Sequence, residues 1–148
     1  MSGAVAHRDY SATPLQRKLG LITAKGGVGD VSILGEPEGF RALLGDLPDS
    51  VRLHSQLKAT TSLALCFVRS RAELMSLLDL LISQLPRAAH VWIIHSKSQH
   101  KPDFNQNHVR DEGLAAGLVD YKVCSVDADW SGLKFLRRRT GAAPVRVP

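Results

Sequence analysis

The order of apolar and polar positions divides the chain into short helical and extended units. Residues 62–68, SLALCFV, form an unbroken apolar run, and residues 89–95, AHVWIIH, form another. Runs of this length predict strands covered on both faces, in the interior of a sheet. Between them Leu74, Leu77, Leu78, Leu81 and Leu85 recur at helical spacing, which predicts one buried stripe of a helix. Ser70 with Glu73 three residues on has the form of a capping box at its start, and Pro86 stops it. VRLHSQL at 51–57 alternates instead. Val51, Leu53, Ser55 and Leu57 fall on one side, with Arg52, His54 and Gln56 on the other, the pattern of a half-buried strand near a sheet edge. His54 then lies on a polar face and needs no ligand.

Upstream, Thr13 is the expected cap of a short helix with Pro14 in its first position, carrying Leu15 and Leu19 and ending at Gly20. Residues 25–30 read as a loop. VSILG at 31–35 reads as a strand that enters the turn Gly35-Glu36-Pro37-Glu38-Gly39, followed by a helix with Phe40, Leu43, Leu44 and Leu47 on one face. Downstream, a polar loop rich in hydrogen-bonding groups, SKSQHKPDFNQN, leads to Asn105 or Asn107 as the cap of a helix through Val109, Leu114 and Ala116 that ends at Gly117. Residues 119–126 and 130–138 are strands joined by the tight connection Asp127-Ala128-Asp129, a hairpin at the sheet edge. The expected organisation is one α/β domain over 12–138, with a flexible N-terminus at 1–11 and a disordered basic tail at 139–148.

With 148 residues the chain has room for one hydrophobic core. Only 5% of it is aromatic, so that core is built from Leu, Val, Ile and Ala. No apolar stretch is long enough to span a bilayer and no signal pattern opens the chain, so a cytoplasmic protein without membrane attachment is expected. Cys66 and Cys124 fall inside strands and read as a reduced, buried pair. The net charge of +5 owes much to Arg137, Arg138, Arg139 and Arg146, which stand without acidic neighbours and read as a solvated tail. Few aromatics and no basic helical stripe argue against a nucleic-acid partner.

Four stretches invite a chemical reading. KGGVG at 25–29 resembles the start of the phosphate-binding loop of ParA-type ATPases. That loop needs a lysine and a hydroxyl next, where this chain has Asp30 and Val31; an aspartate there repels a triphosphate. His95, Ser96, Lys97, His100, Lys101 and Asp103 follow a central strand, at the end where open α/β sheets bind ligands, and two His with two Lys suit an anion. His95, His100 and His108 fit no zinc spacing, so no metal is expected. Trp130-Ser131-Gly132 opens the last strand, where Trp130 caps the core or faces a partner.

The unit order, closing on a reversed hairpin, resembles a trimmed class I methyltransferase-like Rossmann fold. LPRAAHVWII at 85–94 also looks like that family's lead into a strand, without its two glycines. YSATPL at 10–15, KLG at 18–20, PEGF at 37–40, LGDLP at 44–48, SRAEL at 70–74, and above all GLVDYKVCSVD at 117–127 with WSGLKF at 130–135, resemble the bacterial domain-of-unknown-function family 3052. That family usually carries Lys-Pro-Gly before the first sheet strand and a Trp-Pro-Lys-like turn after the strand at 89–95, of which only Lys97 remains. The resemblance implies a single three-layer Rossmann-like α/β domain, with a mostly parallel sheet ending in an antiparallel C-terminal hairpin. It implies no activity. A class I site needs a glycine-rich turn and an acidic residue ending the second strand. Pro37 removes a backbone donor from the turn, and the second strand ends Leu57-Lys58 without a carboxylate. The expectation is a non-catalytic binding or interaction module with no cofactor and no catalytic residues, whose partner is a protein or an anionic small molecule. The alternative is a ligand-binding domain or enzyme that takes an anionic or nucleotide-like molecule, such as S-adenosylmethionine, at Gly35, Glu36, Ser70, His95 and Lys97.

Overall fold

The computed structural model describes residues 14–97 and 104–138. Six strands form one sheet: β3 (Gly29–Leu34), β4 (Val51–His54), β5 (Thr61–Val68), β6 (His90–Ser96), β7 (Leu118–Ser125) and β8 (Trp130–Arg137). Their order is β4-β3-β5-β6-β8-β7. The first four run parallel, while β8 pairs antiparallel with both β6 and β7. The sheet is therefore mostly parallel and closes in an antiparallel C-terminal hairpin.

Helices α3 (Arg71–Gln84) and α4 (Gln106–Ala115) cover one face. The leucines of α3 and Val109 of α4 pack with Ala64, Cys66, Val91, Ile93, Leu133 and Phe135. On the other face lie α1 (Leu15–Lys18), α2 (Phe40–Leu44) and a two-stranded hairpin of β1 (Ile22–Thr23) and β2 (Gly26–Gly27), over Val31, Ile33, Leu65, Trp92 and Ile94. The apolar runs at β5 and β6 are explained by this covering of both faces. Trp92 is fully buried, and its indole N–H donates to the Leu19 carbonyl over 2.7 Å, fastening the end of α1 to the sheet. Cys66 and Cys124 are buried free thiols.

Three local expectations are revised. The first sheet strand begins at Gly29, so Asp30 lies inside it and is buried rather than in a loop. A carboxylate is tolerated there because the edge strand supplies polar partners: Arg52 Nε donates to Asp30 Oδ1 over 2.8 Å, and His54 Nε2 lies 2.9 Å from the same oxygen. The Thr60 hydroxyl, Arg52 and His54 hold the Asp30 carboxyl below its ordinary range. Second, α2 stops at Leu44, and Leu43 is 55% exposed, so only Phe40 and Leu44 of the helix are buried. Third, Arg137 and Arg138 are not a solvated run. Arg137 Nη2 donates to the carbonyls of Leu81, Ile82 and Leu85 at the end of α3, and Arg138 Nη2 to that of Leu114 in α4. Thr13, Arg139 and Arg146 lie outside the described residues.

The crossover from β4 to β5 has no helix. Residues 55–60 pass directly over β3 instead, where Ser32 Oγ donates to the Gln56 carbonyl over 2.9 Å and shares a 2.8 Å hydrogen bond with Thr61. Parallel crossovers usually carry a helix.

Candidate functional site

The carboxyl ends of β3, β5 and β6 form the rim where ligands of open α/β sheets bind. Gly35 turns the chain out of β3 with φ +71°, and a Cβ there would come within 3.0 Å of the Phe67 carbonyl. Only glycine meets both demands. Between this turn and the start of α3 lies an open groove of about 500 Å³, with Leu34, Gly35, Val68, Ala72 and Leu77 in its wall and Arg69 and Glu73 at its rim.

The polar groups of this rim are engaged with one another. Arg41 Nε donates to Glu36 Oε2 over 2.8 Å, and its Nη2 donates to Ser55 Oγ over 3.1 Å. One guanidinium thus bridges the exits of β3 and β4. The Ser70 hydroxyl accepts the Glu73 amide as the cap of α3, and Glu73 turns back to accept the Arg69 amide. This is a capping box displaced by one residue. Lys97 Nζ donates to Ser125 Oγ and to the Asp127 carbonyl, each over 2.7 Å, and its amide donates to the Asp129 carbonyl. Lys97 therefore ties the end of β6 to the turn of the β7–β8 hairpin.

His95 differs. It is 4% exposed, its Nδ1 lies 3.2 Å from the Ser96 carbonyl, and its Nε2 is buried with no hydrogen-bond partner among the described residues. Burial and the Lys97 charge lower its pKa, against the pull of the Ser96 carbonyl. A neutral ring with Nδ1–H on that carbonyl leaves Nε2 as an acceptor. On the opposite face Phe40, Phe67 and Trp130 stack edge to face at 4.7 and 5.1 Å, and the Arg69 guanidinium lies 5.2 Å from the Trp130 ring. Trp130 closes the end of the core.

Gly35 and Glu36 adjoin on the β3 turn, and Gly35 shares the groove with the residues on either side of the Ser70 cap. Lys97 is drawn instead to the hairpin. His100, Lys101 and Asp103 lie outside the described residues. Sequence reasoning missed Arg41, whose spacing of five from Glu36 was the available signal, and Arg69, which adjoins the Ser70 cap. Among the described residues, no group of three or more His, Cys, Asp or Glu side chains is placed to hold a metal ion.

No family model matches the sequence, and no curated protein matches it. Solved structures do match in three dimensions. DhpI in its SAH complex superposes with a TM-score of 0.55 at 14% identity, covering 90% of this chain and 87% of that one. A putative type 11 methyltransferase from Sulfolobus solfataricus gives 0.53 at 16% identity, over 87% and 92% of the two chains. A complex of DhpI with SAM and HEP gives 0.51 at 12% identity, over 89% of each. The chain has a methyltransferase-like fold. At such identity the likeness concerns the path of the backbone. It transfers no residue role to the rim of this sheet, where α2 spans five residues and starts at Gly39 with φ +86°.

Proposed function

We propose that the protein is a non-catalytic binding or interaction module built on a methyltransferase-like sheet. The observation that carries this reading is the bridge from Arg41 to Glu36 and Ser55. It occupies the strand exits where a class I site would present a free carboxylate, and it pairs the Glu36 carboxylate there with a guanidinium. Pro37 removes a donor from the adjoining turn, and the Ser70 and Lys97 side chains are committed to a helix cap and a hairpin turn. The domain responsible spans 12–138, with 1–11 and 139–148 as flanking segments.

The test is thermal unfolding of the full chain with S-adenosylmethionine, S-adenosylhomocysteine, ATP or NAD. A ligand at about a hundred times its dissociation constant stabilises a native state by roughly 2.7 kcal/mol. At this chain length that raises the midpoint by roughly 5 to 11 °C. The expected result is no shift with any of the four, and a shift with either adenosyl compound overturns the reading. Two observations favour the second reading, a small-molecule site: the buried Nε2 of His95, which has no hydrogen-bond partner among the described residues, and the open groove of about 500 Å³ beside Gly35. Under that reading the shift appears and is lost in His95→Leu.

A further inference from the structure

The C-terminal hairpin leaves one edge of the sheet open. Strand β7 ends the order β4-β3-β5-β6-β8-β7, and among the described residues no strand pairs with its outer side. Every second residue of an edge strand directs its N–H and C=O outward, which makes the edge a template for another extended chain. Two large side chains stand exposed along it, Tyr121 at 49% and Val123 at 51%. The pairing with β8 shifts register between Asp120 and Lys122, and this bulge brings Tyr121 onto the same face as Lys122. There the Tyr121 hydroxyl meets His90 Nδ1 across β8, and its ring lies 5.9 Å from Lys134 Nζ.

The uncompensated charges of β7 and β8 are positive. Lys122 of β7 stands directly opposite Lys134 of β8, and like charges so placed destabilise a sheet. Neither lysine has a carboxylate partner among the described residues. The two strands hold one carboxylate, Asp120, and Arg110 Nε takes it at 3.0 Å. Asp127 in the turn accepts the amides of Asp129 and Trp130. Burial and the Lys122 charge lower the Lys134 pKa, as befits an ammonium without a counter-charge. Lysine and a bulge are devices that blunt a sheet edge. They keep off a second copy of the chain, which brings the same lysines and the same bulge to the joint. They do not keep off a strand that carries carboxylates.

We propose that the outer edge of β7 is a docking site for an extended acidic segment of a partner protein, which adds to the sheet beside Tyr121, Lys122 and Val123. Its backbone pairs with the free edge. Its carboxylates face Lys122 and Lys134, and its apolar side chains, on the opposite face, pack on Val123. The inference supplies a surface and a partner class for the interaction-module reading. It uses none of the strand-end rim, so a thermal shift with an adenosyl compound overturns that reading and leaves this edge to its own assay.

The test uses the full chain and a fluorescein-labelled EVEVEVE peptide, followed by fluorescence anisotropy. The wild type is expected to bind it, and Lys122→Glu to bind it roughly tenfold more weakly with circular dichroism unchanged. The same variant is expected to prefer a KVKVKVK peptide. A fully N-methylated copy of EVEVEVE keeps the carboxylates and loses the backbone donors, and is expected to bind the wild type roughly tenfold more weakly. Absence of binding between EVEVEVE and the wild type overturns the proposal, as does undiminished binding to Lys122→Glu. Undiminished binding of the N-methylated copy reduces the edge to a patch of charge and also overturns it. So does displacement of EVEVEVE by an equal concentration of oligo-dT, which assigns the lysines to a nucleic acid. A wild-type dimer that Lys122→Glu abolishes assigns the edge to a second copy of the chain and overturns it too.

Discussion

Arg137 is the residue whose replacement tests the architecture most sharply. Helix α3 has no basic residue in its last turn and no glycine cap, and its C-cap, Leu85, is extended. The carbonyls at that end are met from β8 by one guanidinium nitrogen, at 2.8 Å from Leu81, which also accepts the Leu85 amide, 2.7 Å from Ile82 and 2.9 Å from Leu85. A hydrogen bond from a charged donor contributes roughly 1.5–3 kcal/mol where water cannot replace it. The Ile82 contact is exposed, so water recovers much of its share. A cation at a helix C-terminus adds about 0.3–1 kcal/mol. Together these give about 2–3 kcal/mol for Arg137→Met, which keeps most of the aliphatic stem and removes the charge and the fork. Arg137→Lys keeps the charge but not the geometry and is expected to cost about half as much. Urea unfolding of the two variants, followed by circular dichroism, measures both values. A loss below about 0.5 kcal/mol for Arg137→Met refutes the argument that β8 caps α3, as does an equal loss for methionine and lysine.

Two more predictions concern the interior. His95 and His90 both have pKa values lowered by burial, so the native state holds them neutral where the unfolded chain takes up protons. Stability is then expected to rise with pH through the ordinary histidine range near 6.5 and to fall as pH drops from about 7 to 5. Chemical unfolding at several pH values checks this, and His95→Gln is expected to flatten the slope. An unchanged slope in that variant would remove His95 from the account. Gly113 in α4 faces the ring of Phe135, and a Cβ there would fall 2.6 Å from it. Gly113→Ala gains up to about 1 kcal/mol of helix propensity and loses about 1–3 kcal/mol to crowding. A lower thermal midpoint is expected, and a higher one would show that Phe135 yields.

The elements legible in the sequence are those whose environment is uniform along their length. SLALCFV and AHVWIIH declare themselves because both faces of β5 and β6 are covered. The leucine stripe declares α3 by its spacing alone, and the Ser70 cap does so because its partner Glu73 lies within one turn. What could not be read depends on groups far apart in the chain. The start of β3 was obscured by Asp30, whose partners arrive from β4 more than twenty positions later. Arg137 looked solvated because the carbonyls it serves lie more than fifty positions earlier. At the rim, Lys97 and Ser70 were recognisable as residues at strand ends. The pairing of Ser70 with Glu73 was legible as a cap, whereas the engagement of the Lys97 side chain by the hairpin turn follows only from the packed structure.

The position of β8 has a consequence for the order in which the protein comes into being. Among the described residues β8 is the last strand to be made, yet it lies inside the sheet, bonded to β6 on one side and β7 on the other. A nascent chain that has delivered β3 to β6 therefore presents the hydrophobic strand His90–Ser96 as a bare, unpaired edge. The interval between Ser96 and Arg137 is about 40 residues, roughly 2 to 8 s of translation. During those seconds the half-made sheet is open to pairing with a neighbour. The hairpin closes that window only when its final strand slots between the two that wait for it.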